Sequence, residues 1–251
     1  MLAKLKKSKL VVFLLILLLY GCTTLYNPAT GKKELLFIDT KDEVSIGQDM
    51  ASQVQSELNI LDDDILQKRL DKIGQNVSFN CDRQDLKYYF KIVKDDEFNA
   101  FALPGGFVYV NSGLLKSAND DELACVLGHE IGHIAAKHSV KRLQANLGYQ
   151  ILINIALGAS DQQTILQAVD ITYSLVALGY SRKDEFLADR LAIKYAQKSG
   201  YKPYGMISFF KKLKSQQKPG FNLVFLSSHP PIEERIKQIE KEIQFEKTNN
   251  E

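Results

Sequence analysis

Residues 126–134 read VLGHEIGHI, an apolar stretch that carries two of the chain's four histidines and a glutamate. Polar side chains on a segment that otherwise belongs in a core are costly unless something they bind compensates. The surroundings predict a helix. Asn119 can cap it, Glu122 three residues later completes a capping box, and Asp120 and Asp121 suit its positive end. The apolar pattern carries that helix to about Leu143. A four-residue spacing then puts His129 and His133 one turn apart on one face, where both imidazoles can reach a single cation. Glu130 lies about 100° around the helix from His129, beside that cation, in position to take a proton from water. Chance supplies an H-E-x-x-H in only roughly a few chains per thousand of this composition.

Two histidines do not complete a catalytic zinc site, which takes three protein ligands and keeps a position for water. His138, nine residues after His129, would project from the opposite side of a continuous helix as a solvated surface histidine. A metzincin pattern needs glycine and a third histidine where this chain has Ala136 and Ser139, so it fails. The segment DEFLADRLAIKYA offers a better partner. Glu185 and Asp189 are four residues apart on a stripe continued by Ala192 and Ala196, which suggests close helix packing around something positive. Glu185 is assigned as third ligand, and Asp189 as acceptor for the outer N–H of a ligand histidine, with His129 the expected one.

The N-terminus reads as an export signal. Four lysines precede an apolar run from Leu10 to Leu19, followed by Gly21-Cys22, the layout of a lipoprotein cleavage box. The apolar run is shorter than the ~20 residues a spanning helix needs. The expected organisation is a lipoprotein signal peptide over 1–21, a tether over 22–40 and one domain over 41–251. Removing the first 21 residues takes away four lysines and no acids, so the formal charge falls from +2 to −2. That near-neutral balance gives no electrostatic case for nucleic acid. Cys22 is the expected lipidation site, and Thr23 after it lacks the acidic residue associated with inner-membrane retention. The expected location is therefore the cell envelope, on the periplasmic side of the outer membrane if the organism has two. Cys81 and Cys125 could form at most one disulfide, and Cys125 reads as a buried free thiol.

Within the domain the fold class reads as α+β and mostly helical. Helices are predicted over about 41–58 and 63–77, then LKYYFKIVKD and AFALPGGFVYVN as strands of a small antiparallel sheet beside the H-E-x-x-H helix. Pro104-Gly105-Gly106 marks the second segment as an edge strand or a bent hairpin. Nearly everything after Asn119 reads as helix, including two apolar segments, LGYQILINIALGA and TILQAVDITYSLVALG, assigned to buried core.

HEIGH with EFLAD, preceded by NAFALPGG and followed by SHPPIEERI, resembles the HtpX/CAAX-prenyl-protease-type family of zinc metallopeptidases. YNPATGKKELLFI after a lipobox is similar to its exported bacterial lipoprotein branch. The resemblance covers nearly all of the mature chain. It implies a compact zincin-like (gluzincin) domain, one zinc ion held by His129, His133 and Glu185, and Glu130 as general base. It also points to His229, in the loop before two prolines, as an oxyanion donor or fourth zinc ligand, with Arg235 positioning that loop or the substrate. An extended substrate would lie along Asn99, Ala100, Phe101 and Ala102, adding a strand to the sheet edge. Such binding reads backbone, which fits an endopeptidase of unfolded or misassembled envelope proteins. Two other readings remain: a chaperone-like or assembly lipoprotein with structural zinc or incidental protease activity, and a zinc amidase acting on small or cell-wall amides.

Overall fold

A computed structural model describes residues 23–156, 179–216 and 232–249. The chain opens with an antiparallel hairpin, β1 (Thr23–Asn27) and β2 (Lys32–Leu36), in which Thr24 faces Leu35 and Tyr26 faces Lys33. Asn27 builds the turn: its Oδ1 accepts from Ala29 N and its carbonyl from Gly31 N, with Gly31 at φ +66°. The stretch expected as a tether is thus an ordered part of the fold. Leu36 and Ile38 are buried, while Tyr26, Leu35 and Phe37 project outward, 65%, 60% and 52% exposed.

Two helices follow, α1 (Thr40–Glu57) and α2 (Asp64–Phe79), capped by Asp39 and Asp63, whose carboxylates accept the first free backbone N–H groups. Next come β3 (Tyr89–Val93), β4 (Ala100–Leu103) and, after one 3-10 turn over Pro104–Gly106, β5 (Phe107–Asn111). Their order in space is β3-β5-β4. The antiparallel pairing expected from the sequence holds for β4 with β5, but β3 and β5 run parallel, so the sheet is mixed. The six residues between β3 and β4 are enough to cross two strand spacings of ~4.8 Å each, leaving the middle position to β5, whose Val108, Tyr109, Val110 and Asn111 are all buried. β4 therefore stays at the edge. Side chains alternate between two cores: Ala100, Ala102, Val108 and Val110 face one, while Leu103 and Tyr109 face the other with Met50 and Val54 of α1. The turn needs its glycines, since Gly105 and Gly106 have φ +77° and +98°, and α1 packs so close that a Cβ on Gly47 would collide with the Pro104 carbonyl.

A short α3 (Ser112–Ser117) leads to α4 (Asp120–Ala135), which opens with the expected capping box: Asn119 and Glu122 each accept from the other's backbone at 2.9 Å. The expected continuous helix to Leu143 does not form. α4 stops at Ala136, Lys137 takes a left-handed conformation at φ +56°, and α5 (His138–Ala156) begins afresh. Cationic side chains hold the break. Arg83 donates to the Ile134 carbonyl at 3.0 Å and Lys141 to the Ala136 carbonyl at 2.7 Å, satisfying carbonyls at the buried end of α4. These partners come from distant sequence or from the far side of the kink, so helical periodicity alone cannot register them.

α6 (Arg182–Lys198), α7 (Tyr204–Gln216) and α8 (Ile232–Asn249) complete the described elements. α4 and α6 pack at very short range. A Cβ on Gly128 would lie 3.1 Å from Ala192, and one on Gly132 would lie 3.2 Å from the Ala188 carbonyl. The glycines of HEIGH's face and the alanine stripe of α6 thus let two backbones approach and bring their side chains to one place. Cys81 and Cys125 are both buried free thiols. Of the apolar segments, the first lies partly in α5, with side chains beyond residue 147 outside the described residues; the second lies almost wholly outside them. No helix among the described residues is long and apolar enough to cross a membrane.

Candidate metal centre

Where α4 meets α6, the ligand-type atoms of His129, His133 and Glu185 all lie within 4.8 Å of one another, and all three residues are buried. The two Nε2 atoms are 3.0 Å apart. Glu185 reaches toward both, with Oε2 3.6 Å from His129 Nε2 and Oε1 3.5 Å from His133 Nε2. Two nitrogens at ~2.0–2.1 Å from a tetrahedral ion stand roughly 3.3 Å apart, so the spacing suits one zinc-sized cation. Charge points the same way. Among the described residues Glu130, Glu185 and Asp189 are buried, with the buried Arg235 between the last two. In ionised form these four side chains carry an excess of two negative charges, which a divalent cation offsets.

Asp189 Oδ1 lies 3.0 Å from His129 Nδ1, one helical turn from Glu185 on the same face of α6. Arg235 grips that carboxylate with two bonds, Nε to Oδ2 at 2.8 Å and a second guanidinium nitrogen to Oδ1 at 2.6 Å, and reaches Glu185 Oε2 at 3.0 Å. Burial alone would raise the Asp189 carboxyl, but the Arg235 charge and bonds, helped by His129, hold it well below the usual carboxylate range. Burial pushes the His129 imidazole down, and the Arg235 cation adds to this against the pull of Asp189 and Glu185. The neutral ring is the form that binds metal. Glu130 is buried on α4 next to His129, and its charge is felt both by Arg235 and by Tyr180.

On the other side, His138 is not the surface residue the continuous helix implied. The break at Lys137 turns it back, 3% exposed, with Nδ1 2.8 Å from His133 Nδ1. Tyr180 stacks on the His133 ring at 3.9 Å and shares a 2.8 Å hydrogen bond with Ser139; burial pushes its hydroxyl up to about 12. Ala100 and Ala102 are buried and Phe101 half-buried on the edge strand, and Asn99 just before it is buried, its carbonyl accepting from Asn111 N. His229 and Cys22 lie outside the described residues.

Arg235 is the residue that sequence reasoning placed too loosely. A signal was present: it sits among Ile232, Ile236, Ile239 and Ile243 on the apolar side of α8, where a cation needs a buried partner. Tyr180 carried no such signal.

A model of peptidase family M48 matches residues 64–243. The chain is 33% identical over 181 residues to metalloprotease YcaL of Escherichia coli K12, covering 70% of this chain and 69% of that protein. It is 30% identical over 175 residues to metalloprotease LoiP of the same organism, covering 68% of each. The beta-barrel assembly-enhancing protease of E. coli K12 is 28% identical over 204 residues, but there the chain spans only 40% of the relative's length.

Proposed function

The chain belongs to peptidase family M48 and is a zinc metalloendopeptidase; from that premise we propose that it cleaves unfolded or misassembled proteins of the cell envelope at a centre made of His129, His133, Glu185 and Glu130. The observation that carries the assignment of residues is the convergence of two imidazoles and a distant carboxylate, all buried, with Glu130 beside them. His129, His133 and Glu185 would hold one zinc ion per chain, which when bound supplies Lewis acidity toward water and the scissile carbonyl. Glu130 takes the proton of the attacking water and returns it to the leaving amine. Asp189 accepts from His129 Nδ1 and so fixes the tautomer that presents Nε2 to the metal, while Arg235 locks that carboxylate in place. The outer edge of β4 aligns an extended substrate through backbone hydrogen bonds, with Asn99, Ala100, Phe101 and Ala102 along it. His229 is assigned to the oxyanion or to a fourth zinc position; a His229→Ala protein with unchanged cleavage and zinc affinity removes that role.

Backbone recognition supports unfolded chains as substrate, and a relative named for enhancing β-barrel assembly supports the envelope. Lipidation of Cys22 would hold the enzyme at a membrane surface, on the periplasmic side of an outer membrane where there are two. The apolar outer row of Tyr26, Leu35 and Phe37, beginning four residues after that cysteine, supports this placement. A Cys22→Ser chain should then leave the membrane fraction. For the substrate class, the purified protein should degrade unfolded casein in a chelator-sensitive manner; sparing casein while cleaving one folded partner overturns the proposal. A cellular phenotype that survives Glu130→Gln would favour the chaperone-like reading.

A further inference from the structure

The two histidines facing the metal position are supported in unequal ways. Behind His129 stands a carboxylate clamped by an arginine. Behind His133 stands another histidine: His138 Nδ1 is 2.8 Å from His133 Nδ1, and His138 Nε2 is 3.4 Å from Asp184 Oδ1. Bonding logic assigns every proton along this row. If His133 gives its Nε2 lone pair to a cation, its proton must sit on Nδ1. That N–H points at His138 Nδ1, which must therefore be an acceptor. His138 is then neutral with its proton on Nε2, facing Asp184. Asp184 is itself fixed, because its other oxygen accepts from the Ser181 hydroxyl at 2.7 Å in the capping box of α6. The left-handed Lys137 is what makes the arrangement possible, since an unbroken helix would carry His138 away from His133. Tyr180, stacked on the His133 ring, leaves that ring little room to turn.

We propose that His138 is a positioning residue of the metal centre, accepting the outer N–H of His133 at Nδ1 while its own Nε2 faces Asp184, a role that parallels that of Asp189 toward His129. This rests on the reading that His129, His133 and Glu185 hold the metal. The acceptor here is a neutral ring, so it orients His133 without adding another buried negative charge to the centre.

Zinc affinity of the full chain, purified in detergent and stripped of metal, tests this by competition with a chromophoric chelator. His138→Phe keeps a ring but cannot accept, and should weaken zinc binding about 10–100-fold. His138→Gln offers an amide oxygen to His133 Nδ1 and should recover most of that loss. Unchanged affinity in His138→Phe, or equal loss in both variants, overturns the proposal. His133→Ala separates the two levels: if it keeps wild-type affinity, the metal-site reading itself has failed. Should a variant not fold, nitrogen-15 spectra of the zinc-loaded wild type decide alone. They should show the proton on Nδ1 of His133 and on Nε2 of His138; a protonated Nδ1 on His138 contradicts the proposal.

Discussion

Arg83 and Arg235 are both buried, and each grips a carboxylate with two bonds, yet they serve different parts of the molecule. Arg83 holds Glu43 at 2.8 and 2.7 Å and also donates to the Ile134 carbonyl. Glu43 in turn accepts from Gly105 N at 3.2 Å and lies 3.6 Å from Lys137 Nζ. One ion pair therefore ties together α1, the turn beside the edge strand and the end of the H-E-x-x-H helix. Arg235 ties Asp189 and Glu185, the carboxylates behind and beside the candidate metal position, and lies over the Phe210 ring of α7. The first is a joint of the scaffold; the second balances charge in the centre itself. The same chemistry should thus fail in different ways when removed.

Arg235→Met should have the larger effect. It leaves two buried carboxylates without their cation, so the metal-free protein should lose about 3–5 kcal/mol, and cleavage should fall severely as His129 loses its fixed acceptor. Denaturant unfolding with and without zinc checks this, and a wild-type apo stability would break the comparison. Arg83→Met should cost a similar ~3–5 kcal/mol but leave zinc affinity within about threefold, raising KM more than it lowers kcat. Adding Glu43→Leu should restore much of that stability, since an apolar pair can replace a buried ion pair; no such rescue is expected beside the metal. Gly128→Ala should cost about 1–3 kcal/mol by overpacking α4 against Ala192, lowering zinc affinity through a wider gap between the helices.

The smallest effect concerns pH. Burial pushes the His138 imidazole down to about 4, against a raising pull from Asp184. Its unfolded value is ~6.5, so in that interval only the unfolded chain takes up the proton. Metal-free protein should therefore lose stability as pH falls from ~6.5 to about 4, with no further loss from this group below that. His138→Gln should lack this increment in pH-dependent denaturant curves.

Much of this was legible in the chain because it is written locally. The capping box at Asn119, the one-turn spacing of His129 and His133, and the carboxylates on the alanine stripe of α6 each follow from helix geometry alone. The glycine turn at 104–106 pointed to an edge strand or a bent hairpin in the same way, and the segment forms the β4–β5 hairpin with β4 at the edge. What escaped depends on distant partners. The kink at Lys137, and with it the burial of His138, is held by Arg83 and Glu43 from far upstream. The parallel pairing of β3 with β5 reflects which strand takes the middle of the sheet, which no single strand encodes. The N-terminal hairpin is anchored by Gln144, whose side-chain oxygen accepts from both Phe37 N and Ile38 N, a contact more than a hundred residues away.

The central claim is that His129, His133 and Glu185 hold a single zinc whose hydrolytic use depends on Glu130. Metal analysis and casein cleavage, run side by side on the wild type, Glu130→Gln and Glu185→Ala, test it most directly. The account predicts one zinc per chain in the first two, cleavage only in the wild type with a fall of about 10²–10⁴-fold in Glu130→Gln, and loss of zinc in Glu185→Ala. Undiminished cleavage by Glu130→Gln, or full zinc retention by Glu185→Ala, would contradict it.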